Sequence, residues 1–278
     1  MPPRFRFAAL LAALALPVLA GCEATNPTPE TANLRLLVDG VVGAAAYAPG
    51  TTYTVDGRAV TFTDARLYLS NLRLVRADGS EYVVPAGTPT TLPAYDDGGT
   101  EVSHTVNETV AYLPLDLGRY EGALAEAPAG TYTGLRFDVG LTGQTNRVNP
   151  VLAPAGHALA KRTDFNNHWS WNVGYIFSRT EGMVDLDADG TAETPWMMHL
   201  GTAGYVVPVS VTADTPFTIE PGTTPGLHFQ VDLAQIISGL DLSDPAQRGC
   251  MTMGCSSVAD AVRAALPDAF HFHGVHAD

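Results

Sequence analysis

Four short stretches carry the side chains with the most specific chemistry. The first, "NNHWSWNVGYIFSRTEG" at residues 166–182, gathers His168, Trp169 and Trp171, in a chain with three tryptophans and eight histidines. The second, "WMMHLG", places His199 two residues before Gly201. Imidazole and soft ligands suit copper, Cu(I) in low-coordinate geometry above all, so two histidines brought together by neighbouring strands would suffice for a site. His199 is the first candidate, because the glycine after it allows another group to approach the backbone closely. On a strand, Trp169 and Trp171 share one face, and His168 points to the other unless a bulge re-aims it. The competing reading is a pair of tryptophans that simply fills a core.

A harder cation fits the third stretch. "DLDADGTAE" sets Asp185, Asp187 and Asp189 at alternate positions before Gly190, followed by the Thr191 carbonyl and Glu193. That spacing matches the first half of an EF-type calcium loop. Trp196 stands at the twelfth position, where such a loop needs an acid, so the expectation is a calcium-stabilised β-loop or a solvated acidic turn. Calcium there would brace the connection from Trp171 to His199. In the fourth stretch, "RGCMTMGCSS", Cys250 and Cys255 are expected to form a disulfide in an oxidising compartment. Met251 and Met253 between them leave a soft-metal site as the alternative.

The remaining histidines divide. His228 alternates with Leu227, Phe229 and Val231 and falls on the polar face with Gln230 and Asp232. His271, His273 and His276 form an H-x-H-x-x-H pattern near the end, readable as an ion-pinching pair or as a polar tail. His104 and His157 have no partner visible in the sequence. No nucleophile elbow, phosphate loop, HExxH or CxxCH occurs, and no carboxylate pair stands out for acid–base work, so the expectation is a protein that is not an enzyme.

The context of these residues is set at the N-terminus. Arg4 and Arg6 precede the apolar run "FAALLAALALPVLA", too short for a stable bilayer anchor and laid out as a secretory signal over residues 1–21. It ends in "LAGC", which resembles a bacterial lipobox with Cys22 as the lipidated residue. Residues 22–32, rich in Pro and Thr, read as a disordered tether to a single domain over 33–278. Removing 1–21 takes away two arginines and no acid, lowering the formal charge from −14 to −16. That balance argues against nucleic acid and suits an exported body that attracts cations. The expected location is the periplasm or cell surface, lipid-anchored, with the outer membrane favoured by Glu23 after the cysteine.

These residues must be positioned by strands. "ARLYLSNLRLV", "TYTGLRFDVGL", "GYVVPVSVTA" and "GLHFQVDLAQII" alternate apolar and polar residues or run β-branched and aromatic, between Gly, Pro, Asn and Asp clusters. One helix is expected late, with Ser256 or Ser257 capping "VADAVRAAL" and Val258, Ala261, Val262 and Ala265 as its apolar stripe. The fold class is therefore all-β: an antiparallel β-sandwich with long inserted loops, over 141–168 and 183–198, and one short C-terminal helix.

In that order along the chain, "DARLYLSNLRLVRADGS", "AGTYTGLRFDVGL", "HWSWNVGYIF", "MHLGTAGY" and "GCMTMGC" resemble the MbnP-like copper-binding proteins, which are encoded beside methanobactin and di-haem enzyme genes. The most specific element is W-x-W-x-x-G-Y-x-F followed by His-x-Gly. The resemblance implies a secreted, largely β protein that binds copper. It also implies a di-haem cytochrome c peroxidase-like (MbnH-like) partner that oxidises a tryptophan to kynurenine, whose amine and carbonyl can help histidines bind the metal. Of the two indoles in the block, Trp171 is preferred as the modified one. Where some relatives carry cysteines or a further histidine, this chain has Asn146, Arg147 and Tyr205. The alternative function is a calcium-stabilised carbohydrate-binding or adhesion sandwich; blander still is a structural surface lipoprotein.

Overall fold

The computed structural model describes residues 30–163, 166–252 and 254–276. The signal segment 1–21, Cys22 and most of the expected tether lie outside the described residues. The strands are, first, β1 (Thr31–Val42), β2 (Ala45–Ala46), β3 (Thr52–Val55), β4 (Arg58–Val75), β5 (Glu81–Val83), β6 (Pro85–Tyr95) and β7 (Glu101–Glu108). Then come β8 (Val110–Pro114), β9 (Tyr120–Pro128), β10 (Gly130–Val139), β11 (His168–Ser170), β12 (Gly174–Val184) and β13 (Thr194–Gly201). The last are β14 (Val207–Ile219), β15 (Gly226–Asp232), β16 (Gly249–Cys250) and β17 (Phe270–His276), with helices α1 (Leu233–Ile236) and α2 (Ser256–Ala265). β1 begins two residues inside the stretch expected to be tether, because Ala32 pairs with Ala127 of β9 and is small enough to enter the core.

Two sheets face one another. The larger runs β14-β10-β4-β12-β13-β16, with β3, β5 and β8 also on β4 and β11 on β12. The smaller runs β17-β15-β1-β2, with β9 also on β1, and β6 and β7 form a separate hairpin. Between them lies one apolar layer: Leu36 and Val38 of β1 and Phe229 and Val231 of β15 pack in one cluster with residues of β4, β10 and β13. This is the all-β sandwich expected. It departs from a purely antiparallel pattern in two places, β1 with β15 and β13 with β16, which are parallel.

The "LYLSNLRL" motif of β4 shows how one strand serves two cores. Leu67 and Leu69 face the main core at odd positions, yet Leu72 and Leu74 face it at even ones. A bulge makes the switch: Asn71 takes φ 56°, and its side chain donates to Asp138 Oδ2 at 2.8 Å. Asparagine tolerates that left-handed backbone better than other non-glycine residues. A one-residue slip would expose leucines worth about 1.5–3 kcal/mol each when buried, so the register is firmly fixed. On the opposite face Tyr68 joins Tyr112, Tyr175, Phe177, Leu141, Val148 and Leu159 in a second, smaller core. The inserted loop after β10 and the β6–β7 hairpin cover that outer face.

α2 forms as expected but begins at Ser256, so neither serine caps it. Cys255 occupies the cap position, no side chain caps the helix, and the Cys255 carbonyl accepts from the Val258 and Ala259 amides at 3.1 and 3.0 Å. The disulfide that ends at Cys255 fixes the chain there in place of a serine hydroxyl.

Candidate metal centre

β12 is the axis of the site, and the sequence block around it fits for identifiable reasons. Gly174 has φ +91°, and a Cβ there would stand 2.3 Å from the side chain of buried Asn146. Asn146 Oδ1 in turn accepts from the Tyr175 amide at 2.9 Å. Tyr175 is buried, donates its hydroxyl to the Leu159 carbonyl at 2.7 Å, and holds the second core in place. The W-x-x-G-Y sequence thus reads as a turn followed by an anchored tyrosine.

β11 lies alongside, pairing His168 with Tyr175 and Ser170 with Gly174, with a register shift between. The His168 ring packs edge-on to Tyr175, centroids 4.9 Å apart. Its Nε2 is buried with no hydrogen-bond partner among the described residues. Burial holds its pKa down at about 4, so the ring is neutral at physiological pH.

The two tryptophans part company. β11 ends at Ser170, so Trp171 sits in the turn before β12 and does not continue the strand face of Trp169. Trp171 is 38% exposed and packs on Gly99 and Tyr95 at the tip of the β6–β7 hairpin. Trp169 instead reaches β13. A Cβ on Gly201 would stand 2.5 Å from the Trp169 ring and 2.7 Å from the Tyr175 carbonyl oxygen, so the glycine is what admits the indole. The two indoles do not share a strand face because only three residues, His168–Ser170, are extended.

His199 lies two residues before Gly201 on the same strand face, opposite Arg179 of β12. It is buried, at 6% exposure. Its Nε2 is 2.7 Å from Glu181 Oε1, and Glu181 is ion-paired to Arg179 at 2.8 Å. Arg179 also donates to Asp64 Oδ2 at 2.8 Å, and Asp64 pairs with Arg66. A carboxylate flanked by arginine accepts but does not donate, so Nε2 carries the proton and Nδ1 keeps its lone pair. That Nδ1 is buried and without a hydrogen-bond partner among the described residues. Burial lowers the pKa of His199, against the opposing pull of Glu181. Glu181 went unrecognised in the sequence; the alternation of Arg179 and Glu181 on a strand paired with the His199 strand was the available signal.

The acidic loop assembles as its spacing suggests. Asp185, Asp187, Asp189 and Glu193 bring ligand oxygens within 4.8 Å of one another, with Asp185 buried and the others exposed. Asp185 already accepts from the Ala188 and Gly190 amides, at 2.8 Å each, and Asp189 from the Thr191 amide at 2.7 Å. Trp196, at the would-be twelfth ligand position, instead stacks edge-on with Phe62 in the main core, centroids 5.3 Å apart. Cys250 and Cys255 form a disulfide, and Met251 is exposed beside it. His104 Nε2 contacts Thr145 Oγ1 at 2.8 Å, and His157 Nδ1 accepts from the Leu159 amide at 3.1 Å. Among the described residues no helix is long and apolar enough to cross a membrane.

Fold and site together define a two-layer β-sandwich whose larger sheet carries a buried histidine, His199, on the strand whose Gly201 underlies the Trp169 ring. The chain belongs to the MbnP family, whose model matches residues 31–252. Among solved structures it is similar to MbnP from Methylosinus trichosporium, with 19% identity, a TM-score of 0.51 and coverage of 89% of this chain and 99% of that one. At that identity the likeness shows a shared fold. No curated protein matches the chain.

Proposed function

We propose that this chain is an exported, non-enzymatic copper-binding protein that holds the metal with His199 and His168 beside Trp169. The observation that carries the reading is the Nδ1 of His199: buried, without a hydrogen-bond partner among the described residues, and left unprotonated because burial disfavours the charged ring while the Glu181 contact holds the one proton on Nε2. Metal-bound histidines characteristically donate their other nitrogen to a carboxylate, and here that arrangement stands ready. The Nε2 of His168 supplies a second buried, neutral imidazole nitrogen. Copper would favour such a nitrogen pair in a partly dry setting over oxygen donors.

The same reading includes lipidation at Cys22, anchorage at the periplasmic or cell-surface side, and a di-haem partner that oxidises a tryptophan to kynurenine. Trp169 is the better substrate on contact grounds, since it lies over Gly201 on the strand of His199, whereas Trp171 packs on Gly99. Calcium at Asp185, Asp187, Asp189, Glu193 and the Thr191 carbonyl would brace the loop between β12 and β13. A second reading, a calcium-ordered carbohydrate-binding module, draws on the exposure of Trp171 beside Tyr95.

The test is metal analysis and peptide mapping of the native protein purified under reducing conditions. The copper reading predicts one copper per chain, and modification predicts the mass of one carbon exchanged for one oxygen on the peptide bearing Trp169. Copper-free protein that takes up none when reconstituted would overturn it.

A further inference from the structure

A second histidine cluster lies at the edge of the smaller sheet, built by a bulge. β15 and β17 pair His228 with Gly274 but Phe229 with Phe272, so His273 is the extra residue. Gly274, at φ +113°, accommodates the kink. Without the bulge, His276 would share the inward parity of Phe270 and Phe272. With it, Val275 packs on the core and His276 joins His228 on the outer face.

The result is a connected polar array. His228 Nδ1 is 2.9 Å from His276 Nε2, and His228 Nε2 is 2.8 Å from Asp39 Oδ2 of β1. The His273 ring lies 5.6 Å from that of His228, centroid to centroid. Asp39 is gripped by Arg119 at 2.8 and 2.6 Å, which holds its carboxyl below the usual range. Being ionised, it can only accept, so His228 carries its proton on Nε2 and presents a bare Nδ1 toward His276.

We propose that His228 and His276 bind a divalent transition-metal ion of the zinc, nickel or copper(II) type, with Asp39 orienting His228 and solvent completing the coordination. The distances decide that this is feasible. Metal–nitrogen bonds of about 2.0–2.1 Å set two ligating nitrogens roughly 3.3 Å apart in tetrahedral geometry. The present 2.9 Å therefore has to open by a few tenths of an ångström, and the exposed His276 has the freedom to do so. Its Nε2, now the donor of the contact, becomes a ligand by moving its proton to Nδ1, with no net proton lost. The carboxylate–histidine–metal order is the wiring that fixes a ligand's tautomer and raises its basicity. β17 lies beyond the residues matched to the family, and the cluster shares no residue with the His199 pocket.

Zinc titration by calorimetry, in excess calcium to occupy the acidic loop, tests this on the full exported chain. One equivalent is expected to bind the wild type and the His199→Ala variant alike, and to be lost or weakened at least tenfold in His276→Ala, an exposed position where folding is preserved. Asp39→Asn should weaken zinc about 10–100-fold while leaving its stoichiometry at one, as expected of an orienting partner. Absence of zinc binding by the wild type, or unchanged affinity in His276→Ala, would overturn the assignment.

Discussion

His199 and His228 are wired alike and placed differently. Each has Nε2 against a carboxylate that an arginine holds, Glu181 with Arg179 and Asp39 with Arg119. Each therefore leaves Nδ1 as a lone pair. His199 keeps that nitrogen buried, on the strand whose Gly201 underlies the Trp169 ring, while His228 meets an exposed imidazole at a sheet edge. The comparison teaches that the carboxylate sets which nitrogen is available and burial sets which ion is suited: a soft, poorly hydrated one in the pocket, a borderline divalent one at the edge.

The largest way to break the comparison is to fill the pocket. Gly201→Ala forces a methyl group against the Trp169 ring and the Tyr175 carbonyl and is expected to cost about 1–3 kcal/mol in urea unfolding. It should also abolish copper uptake while sparing zinc at the edge. An unaltered unfolding midpoint would mean the indole does not rest on that glycine.

Next in size is the wiring itself. Glu181→Gln removes the charge that fixes the His199 tautomer, and copper affinity measured against a competing chelator should fall about 10–100-fold. Equal affinity in the two proteins would separate the pocket from the edge in kind rather than degree.

The pH dependence of the metal-free fold sharpens the contrast further. With a folded pKa near 4 for His168, the unfolded chain takes up a proton below about 6.5 that the folded chain refuses. Stability contributed by the neutral ring is thus whole above pH 6.5, declines as pH falls through the window to about 4, and levels below it. Partial exposure limits the loss to about 2 kcal/mol. His168→Gln should flatten that segment of the denaturation-against-pH curve; an equal slope in the variant would assign the loss elsewhere.

The smallest effect belongs to the acidic loop, whose carboxylates other than that of Asp185 are exposed. A loop with millimolar calcium affinity would gain about 1 kcal/mol at a fivefold excess over its dissociation constant. Asp187→Asn should remove that gain in a thermal melt, and a calcium response that persists would place the ion outside the loop.

What was legible in the sequence follows the range of the contacts. The acidic loop could be read because its ligands lie within nine residues, and the disulfide because its cysteines are five apart. The alternating strands and the late helix followed from periodicity. Glu181 was not legible, since it meets His199 only through β12–β13 pairing, eighteen positions away. The separation of Trp169 from Trp171 was missed because a three-residue strand ends between them. The alliance of His228 with His276 was hidden by the bulge at His273, and a glycine inside an otherwise apolar strand pattern, Gly274, was the one local sign of it.

The central claim is that His199 presents a buried nitrogen for copper. Cu(I) titration under reducing conditions, with wild type, His199→Ala and His228→Ala side by side, tests it directly. The account predicts one tightly held equivalent in the wild type and in His228→Ala, and its loss in His199→Ala with the β-rich circular dichroism spectrum retained. Full, undiminished Cu(I) occupancy in His199→Ala would contradict it.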